Sequence, residues 1–154
     1  VLARLRDITG ESAQLWRRQG EHRVCVAAAE RPSGLRDTIP VGSQLTMRAG
    51  SAAQVLLAWE DPERMHRGLQ NAAFSAAALS GIRRRGWAQS VGEREQGVAS
   101  VSAPVRSPGG KVIAAVSVSG PLERLSRQPG RMHAPAVLAA AERLSESLRR
   151  AAAE

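Results

Sequence analysis

The chain has 154 residues and a mass of 16.4 kDa, which is the size of one compact domain. Apolar residues make up 43% of it, enough for a core, but aromatic residues only 3%, so a stacking platform for single-stranded nucleic acid is close to excluded. The sequence contains no run of about 18 apolar residues, which a membrane-spanning helix would need. The charged first residues do not form a signal peptide. We therefore expect one cytoplasmic domain over residues 1–154, with no membrane partner.

The net charge of +8 comes almost entirely from arginine, since Lys111 is the only lysine among 22 basic residues. A basic surface attracts anions, and direct DNA binding through the arginines is one interpretation. However, the arginines are spread along the chain, and a joint bias toward arginine and alanine is typical of genomic composition. We interpret the clusters Arg17-Arg18, Arg83–Arg85 and Arg149-Arg150 as solvated faces or helix ends.

Apolar spacing predicts a short helix in residues 1–9, and alternation around Gly20 predicts a β-hairpin in residues 11–30. Residues 35–40 are predicted to form a short extended segment. The helical pattern begins abruptly at Val1, so we expect that the chain was cut from something longer.

The middle and end of the chain carry five helical signals and one further hairpin. The helices are recognised by capping residues, by a proline in the first turn and by the stop at Gly86. They are predicted for residues 51–59, from 61 onward, 75–85, 121–126 and 135–150. The hairpin joins Val98–Val105 to Lys111–Ser119 through a Pro-Gly-Gly turn. Mixed helices and antiparallel hairpins predict an α+β fold in which helices cover the sheet.

No motif predicts catalysis, a metal site or a cofactor. Cys25 is the only cysteine, which excludes an internal disulfide framework, and its apolar surroundings are typical of a buried small residue. Glu93 and Glu95, with Arg94 between them, are interpreted as a charged loop. The histidines match no metal-ligand spacing: His22, His66 and His133.

The second hairpin is the most informative part of the sequence. Alternation places valines and alanines on one face and serines on the other, among them Ser100, Ser102, Ser117 and Ser119. The apolar face is expected to carry helices. The hydroxyl face fits an acid-sized polar cavity for a small ligand, or else an ordinary solvent-facing surface, and alternation alone does not decide between them.

A second polar feature is the start of the helix at residues 50–53. Free backbone N–H groups at a helix start attract carboxylates and phosphates, and the small side chains there allow a ligand to approach the backbone. Because every helix has such an end, this signal carries weight only together with the serine face.

Blocks in nearly the whole chain resemble the C-terminal domain of IclR-type bacterial transcription regulators, and they occur in that family's order. They are Thr9–Ser12, Leu35-Arg36 with Pro40–Gly42, Ala49–Ala58, Gly86–Val105 and Ala114–Pro121. The resemblance implies a GAF-like curved antiparallel sheet flanked by helices, with a pocket for a small organic acid effector. It also implies an N-terminal winged helix-turn-helix, absent from this chain, that binds DNA as homodimers or homotetramers.

The resemblance further implies which residues line that pocket: Ser51, Ala52, Ala53, Ser90, Val98, Ser100, Ser117 and Ser119, with Leu35 and Met47 as apolar walls. Ala53 and Gln54 stand where family members commonly carry a Gly-Lys pair, which narrows the approach to the backbone and removes a cation. We expect an effector-binding domain that modulates DNA binding by the missing domain. The alternative is an oligomerisation module with an empty or vestigial pocket.

Overall fold

The computed structural model describes residues 1–153, which form six helices and six strands. In chain order these elements are α1 (Leu2–Thr9), β1 (Ser12–Gln19), β2 (His22–Ala29), β3 (Gln44–Thr46), α2 (Ser51–Ala58), α3 (Pro62–Gly68), α4 (Ala76–Arg85), β4 (Ala88–Val91), β5 (Val98–Arg106), β6 (Val112–Pro121), α5 (Leu122–Leu125) and α6 (Pro129–Ala153).

All the strands join one curled antiparallel sheet in the order β3-β2-β1-β6-β5-β4. The two predicted hairpins, β1-β2 and β5-β6, form its centre. They are joined through β1 and β6, which pair from Ser12 opposite Ser119 to Trp16 opposite Ala115. The expected α+β class, with helices covering an antiparallel sheet, is confirmed.

The two faces of the sheet pack against different helices. On one face, Val101, Val116 and Val118 lie against α1 and α6, as alternation in the second hairpin predicts. On the other face, Trp16 and Cys25 pack with the buried apolar side chains of α2 and α4. The start of α2 is thereby held over the middle of the sheet.

Local sequence signals account for several helix ends. The Asp61 carboxylate accepts a hydrogen bond from the Arg64 N–H at the start of α3, and the Ser75 hydroxyl does the same for Ala78 at the start of α4. Gly86 ends α4 in the left-handed conformation, with Arg83–Arg85 in the last turn, as predicted. Within residues 1–153, no helix is both long and apolar enough to cross a bilayer.

Three details differ from the sequence predictions. Residues 35–40 contain no strand, and the short edge strand β3 forms further along the chain. The edge strand β4 was not predicted. The last helix begins at Pro129, so Pro135 lies inside it rather than at its start. Pro135 lies in the second turn, where it removes the hydrogen bond that an N–H at this position would donate to the Arg131 carbonyl.

Candidate functional site

Five serine hydroxyls from the sheet and from α2 form one hydrogen-bonded network. The Oγ of Ser51, the first residue of α2, lies 2.6 Å from the Oγ atoms of both Ser100 and Ser102. Ser90 Oγ lies 2.8 Å from Ser100 Oγ, and Ser102 Oγ lies 2.5 Å from Ser117 Oγ. The hydroxyl face of the second hairpin therefore meets the start of α2.

Strand register explains why these side chains meet. Ser100 lies opposite Ser119 and Ser102 opposite Ser117 in the β5-β6 pair, while Ser90 lies opposite Ser100 in the β4-β5 pair. Directly opposed residues on one face of an antiparallel sheet are close neighbours. Most of these serines are buried, so the alternative of a solvent-facing strand surface is wrong.

Gln14 of β1 extends the polar cluster. Its Nε2 donates to Ser119 Oγ at 3.0 Å, and its Oε1 lies 3.2 Å from the same hydroxyl. Both side chains are buried. Gln14 was not predicted as part of the site, because nothing in the sequence shows that β1 pairs with β6.

The cavity beside these hydroxyls has a volume of about 20 Å³, which is room for about one water molecule. It is smaller than the acid-sized cavity expected from the sequence, because the side chain of Arg23 reaches from β2 to Gly50 at the start of α2. A ligand larger than water must therefore move lining groups. The lining consists of Gln14, Trp16, Arg23, Ile39, Gly50, Ser51, Ala52, Arg94, Ser100, Ser117 and Ser119.

Arg23 is the least expected residue of this pocket. It is only 2% exposed, and within residues 1–153 its Nε and Nη1 atoms have no hydrogen-bond partner. Its guanidinium carbon lies 4.6 Å from the centre of the Trp16 ring. Burial, and to a lesser extent the charge of Arg94, lower the pKa of Arg23 to about 10, so the side chain still carries its charge at neutral pH.

A β-bulge directs Arg23 into the pocket. In the β1-β2 pair, Leu15 lies opposite Ala27 but Trp16 lies opposite Cys25, so Val26 is left without a partner. An extra residue shifts the alternation of a strand to the other face. Cys25 and Arg23 consequently point inward while Val26 is exposed.

The start of α2 is occupied by a carboxylate of this chain. Glu93 Oε1 accepts a hydrogen bond from Gly50 N–H at 3.1 Å, and Gln54 Nε2 lies 3.0 Å from both carboxylate oxygens. Burial raises the pKa of Glu93, against the opposing effect of these hydrogen bonds and of Arg23. Glu93 and Arg94 lie in the loop between β4 and β5, as predicted. They are half-buried there, and Arg94 also pairs with the buried carboxylate of Asp37.

The remaining predicted site residues lie in several places. Ala52 lines the pocket, while Ala53 is fully buried in the core beneath it. Met47 also belongs to that core. Leu35 is 63% exposed and lies with Val98 in a separate surface cleft, away from the serine network. The expected wall at Leu35 does not form, because the segment that carries it runs along the surface.

A curled antiparallel sheet, helices on both faces and a polar pocket beside one face together define the GAF-like α+β class. The family model described as bacterial transcriptional regulator IclR C-terminal matches residues 1–146. The chain belongs to this family of bacterial transcription regulators and comprises their C-terminal domain.

Two curated relatives are transcription regulators. The HTH-type transcriptional regulator BhcR of Paracoccus denitrificans (strain Pd 1222) is 31% identical over 158 residues, which are 94% of this chain and 57% of the relative. The glycerol operon regulatory protein of Streptomyces griseus is 29% identical over 128 residues, which are 76% of this chain and 50% of the relative. The chain thus spans about half the length of the curated relatives it matches.

Solved structures share the fold. The IclR protein of Thermotoga maritima superimposes with a TM-score of 0.86 at 21% identity, over 96% of this chain and 65% of that one. The C-terminal domain of the E. coli regulator KdgR superimposes with a TM-score of 0.80 at 20% identity, over 96% of this chain and 93% of that one. Identities this low establish the common fold alone.

Proposed function

We propose that this chain is the effector-binding domain of an IclR-type transcription regulator and that its pocket binds a small organic acid. The observation that carries the proposal is the cluster of serine hydroxyls at the start of α2, beside a buried cation. Each hydroxyl offers one donor and two acceptor lone pairs, so the network can rearrange around a polar ligand. A solely structural core has little use for so many buried polar groups.

The ligand carboxylate accepts hydrogen bonds from serine hydroxyls and from the backbone at the start of α2. The intrahelical bonds of α2 begin with Gln54 N–H, which donates to Gly50 O. The preceding N–H groups of the helix have no acceptor within it. Ser51, Ser100 and Ser117 are the hydroxyls placed to complete the contacts, with Ser90 and Ser119 beside them.

Binding has to reshape the site, since the cavity of about 20 Å³ does not hold an organic acid. Gln54 and Ser51 connect α2 to β4 and β5, so a ligand between them alters how α2 lies on the sheet. Such a change transmits occupancy to DNA binding by an N-terminal winged helix-turn-helix in the complete homodimeric or homotetrameric regulator. A coupling of about 1–3 kcal/mol is typical of this kind of regulation.

Calorimetry on wild type and Ser117→Ala tests the proposal, after a thermal-shift panel of small carboxylic acids has identified a binder. Hydrogen bonds to charged groups contribute roughly 1.5–3 kcal/mol each, so Ser117→Ala should bind at least about tenfold more weakly. Ser147→Ala is the matched control, because Ser147 is exposed on α6 and donates only to its own helix. Equal affinity in wild type and Ser117→Ala would remove Ser117 from the site.

A second candidate function is oligomerisation with a vestigial pocket. It is favoured by the small cavity and by serine hydroxyls that already satisfy one another. Under this alternative no acid in the panel raises the melting temperature, while sedimentation still shows a stable dimer or tetramer. A saturable increase of the melting temperature with any acid would instead support ligand sensing.

A further inference from the structure

We infer that the ligand is a monocarboxylate whose carboxylate pairs with the guanidinium of Arg23, and that Glu93 is a built-in competitor for that positive site. This inference rests on the proposed function and deepens it, because it assigns the charge of the ligand and the residue that recognises it. Neither Arg23 nor Glu93 was singled out as a site residue by the sequence.

The first observation is that Arg23 is buried without an ion-pair contact, although the negative charges of Asp37 and Glu93 raise its pKa from a greater distance. Within residues 1–153, no carboxylate lies within 4 Å of its guanidinium nitrogens, and two of these nitrogens make no hydrogen bond. A buried charge without a partner is strongly unfavourable. Trp16 covers the guanidinium, but an aromatic ring satisfies none of the N–H donors, which lie in the plane of the group. Arg23 is also one of the residues that line the pocket.

The second observation is that the surroundings concentrate positive potential where Arg23 lies. A Cβ on Gly50 would stand 2.9 Å from both Nη atoms, so the guanidinium packs directly against the start of α2. That end of a helix carries a partial positive charge. Two positive groups in contact and out of water favour an anion beside them, and serine hydroxyls line the same pocket.

The acidic groups nearby are already engaged. The carboxylate of Asp37 pairs with Arg94, and that of Glu93 is held by Gly50 N–H and Gln54. Glu93 therefore takes an amide that a ligand carboxylate would use, and its negative charge, like that of Asp37, already acts on Arg23. Arg23 is the cation that has no ion-pair contact in this pocket, so it favours one negative charge on the ligand. A second carboxylate would face Glu93 and Asp37 without a partner.

The test uses pairs of probes that differ only in charge: propanoate with propanamide, lactate with lactamide, and malonate as the dianion. Binding to the 154-residue chain is measured by calorimetry. We expect the two monocarboxylates to bind, and the amides and malonate to bind at least about tenfold more weakly, since an unpaired or surplus buried charge is costly. Arg23→Met should abolish the preference for acid over amide, and Arg23→Lys should retain part of it.

The Glu93→Gln variant tests whether the Glu93 carboxylate competes with the ligand carboxylate. Its amide oxygen can still accept from Gly50 N–H, but the negative charge is gone, so monocarboxylates should bind about threefold to tenfold more tightly and malonate should gain more. Unchanged or weaker acid binding would overturn this part. Arg17→Met, on the exposed side of β1, is the control for loss of general positive charge and should leave every affinity unchanged.

The outcomes separate the two proposals. If propanoate and propanamide bind wild type equally, the pocket binds ligands but Arg23 is not the anchor, and only this inference fails. If no probe binds wild type but an acid of the thermal-shift panel does, again only this inference fails. If no acid of either set binds, the proposed function fails with it. A melting temperature of Arg23→Met below that of wild type would also overturn the inference, since Arg23 would then serve the core.

Discussion

Replacing Arg23 with methionine should stabilise the fold, because a charged side chain is removed from the interior. Burial and the charge of Arg94 lower the pKa of Arg23 by more than two units from its ordinary value, to about 10. One pKa unit corresponds to about 1.4 kcal/mol, so burying the charged form costs about 3 kcal/mol. A base whose pKa falls on folding carries this cost in full at every pH below its folded pKa, and hence at neutral pH.

Part of the gain is offset by a lost contact. The guanidinium lies over Trp16, and such a contact contributes about 0.5–2 kcal/mol. Methionine has a flexible apolar side chain that adapts to irregular space, so the rest of the packing is retained. The net stabilisation expected is about 1–2 kcal/mol. For a domain of this size, that raises the melting temperature by roughly 2–8 °C.

Scanning calorimetry at pH 7 on wild type, Arg23→Met and Arg17→Met measures this effect. Arg17 is exposed on β1, and its replacement should change stability by no more than about 0.5 kcal/mol. If Arg23→Met melts below wild type while Arg17→Met does not, the guanidinium stabilises the core and the reasoning from burial is refuted.

Two further predictions concern the backbone at α2 and the pH dependence of stability. Gly50→Ala should lower the free energy of unfolding, measured in urea, by about 1–3 kcal/mol, because φ is +98° and a Cβ would press on Arg23. Gly110→Ala is the control, since its φ is +88° and a Cβ there meets open space. An equal loss of stability in both variants would show that the contact with Arg23 contributes nothing. Burial lowers the pKa of His133 against the opposing charge of Glu11, so the unfolded chain takes up the proton first and stability should fall as pH drops below about 6.5. In His133→Gln that part of the loss between pH 7 and pH 5 should disappear, and an unchanged pH profile would contradict the assignment.

Elements with strong local signals could be predicted from the sequence. The Asp61-Pro62 helix start, the Gly86 stop and the Pro-Gly-Gly turn each act over a few residues, so their structural effect is readable without the fold. The serine face could be predicted for the same reason, since alternation within one strand is a local property. The edge strands β3 and β4 could not, because strands this short depend on a neighbour to pair with.

The position of Arg23 in the pocket could not be predicted from the sequence, because it depends on the β-bulge in β2. With regular alternation, Val24 and Val26 of β2 would face the core and Arg23 would face solvent, as arginines usually do. The extra residue at Val26 reverses this order. Gln14 was missed for a related reason: its partner Ser119 lies on β6, more than a hundred residues away, and only the sheet topology brings them together.

The sign of the Arg23→Met effect also separates sensing from assembly. A domain that only holds subunits together gains nothing from a buried, unpaired cation that lowers its stability by a net value of about 1–2 kcal/mol. Binding sites commonly retain such groups at the expense of stability, because the ligand supplies the missing partner. If the charge proves destabilising in the free domain, a function must account for its presence, and an anion beside Gly50 and the serine hydroxyls is the partner that the geometry of the pocket accommodates.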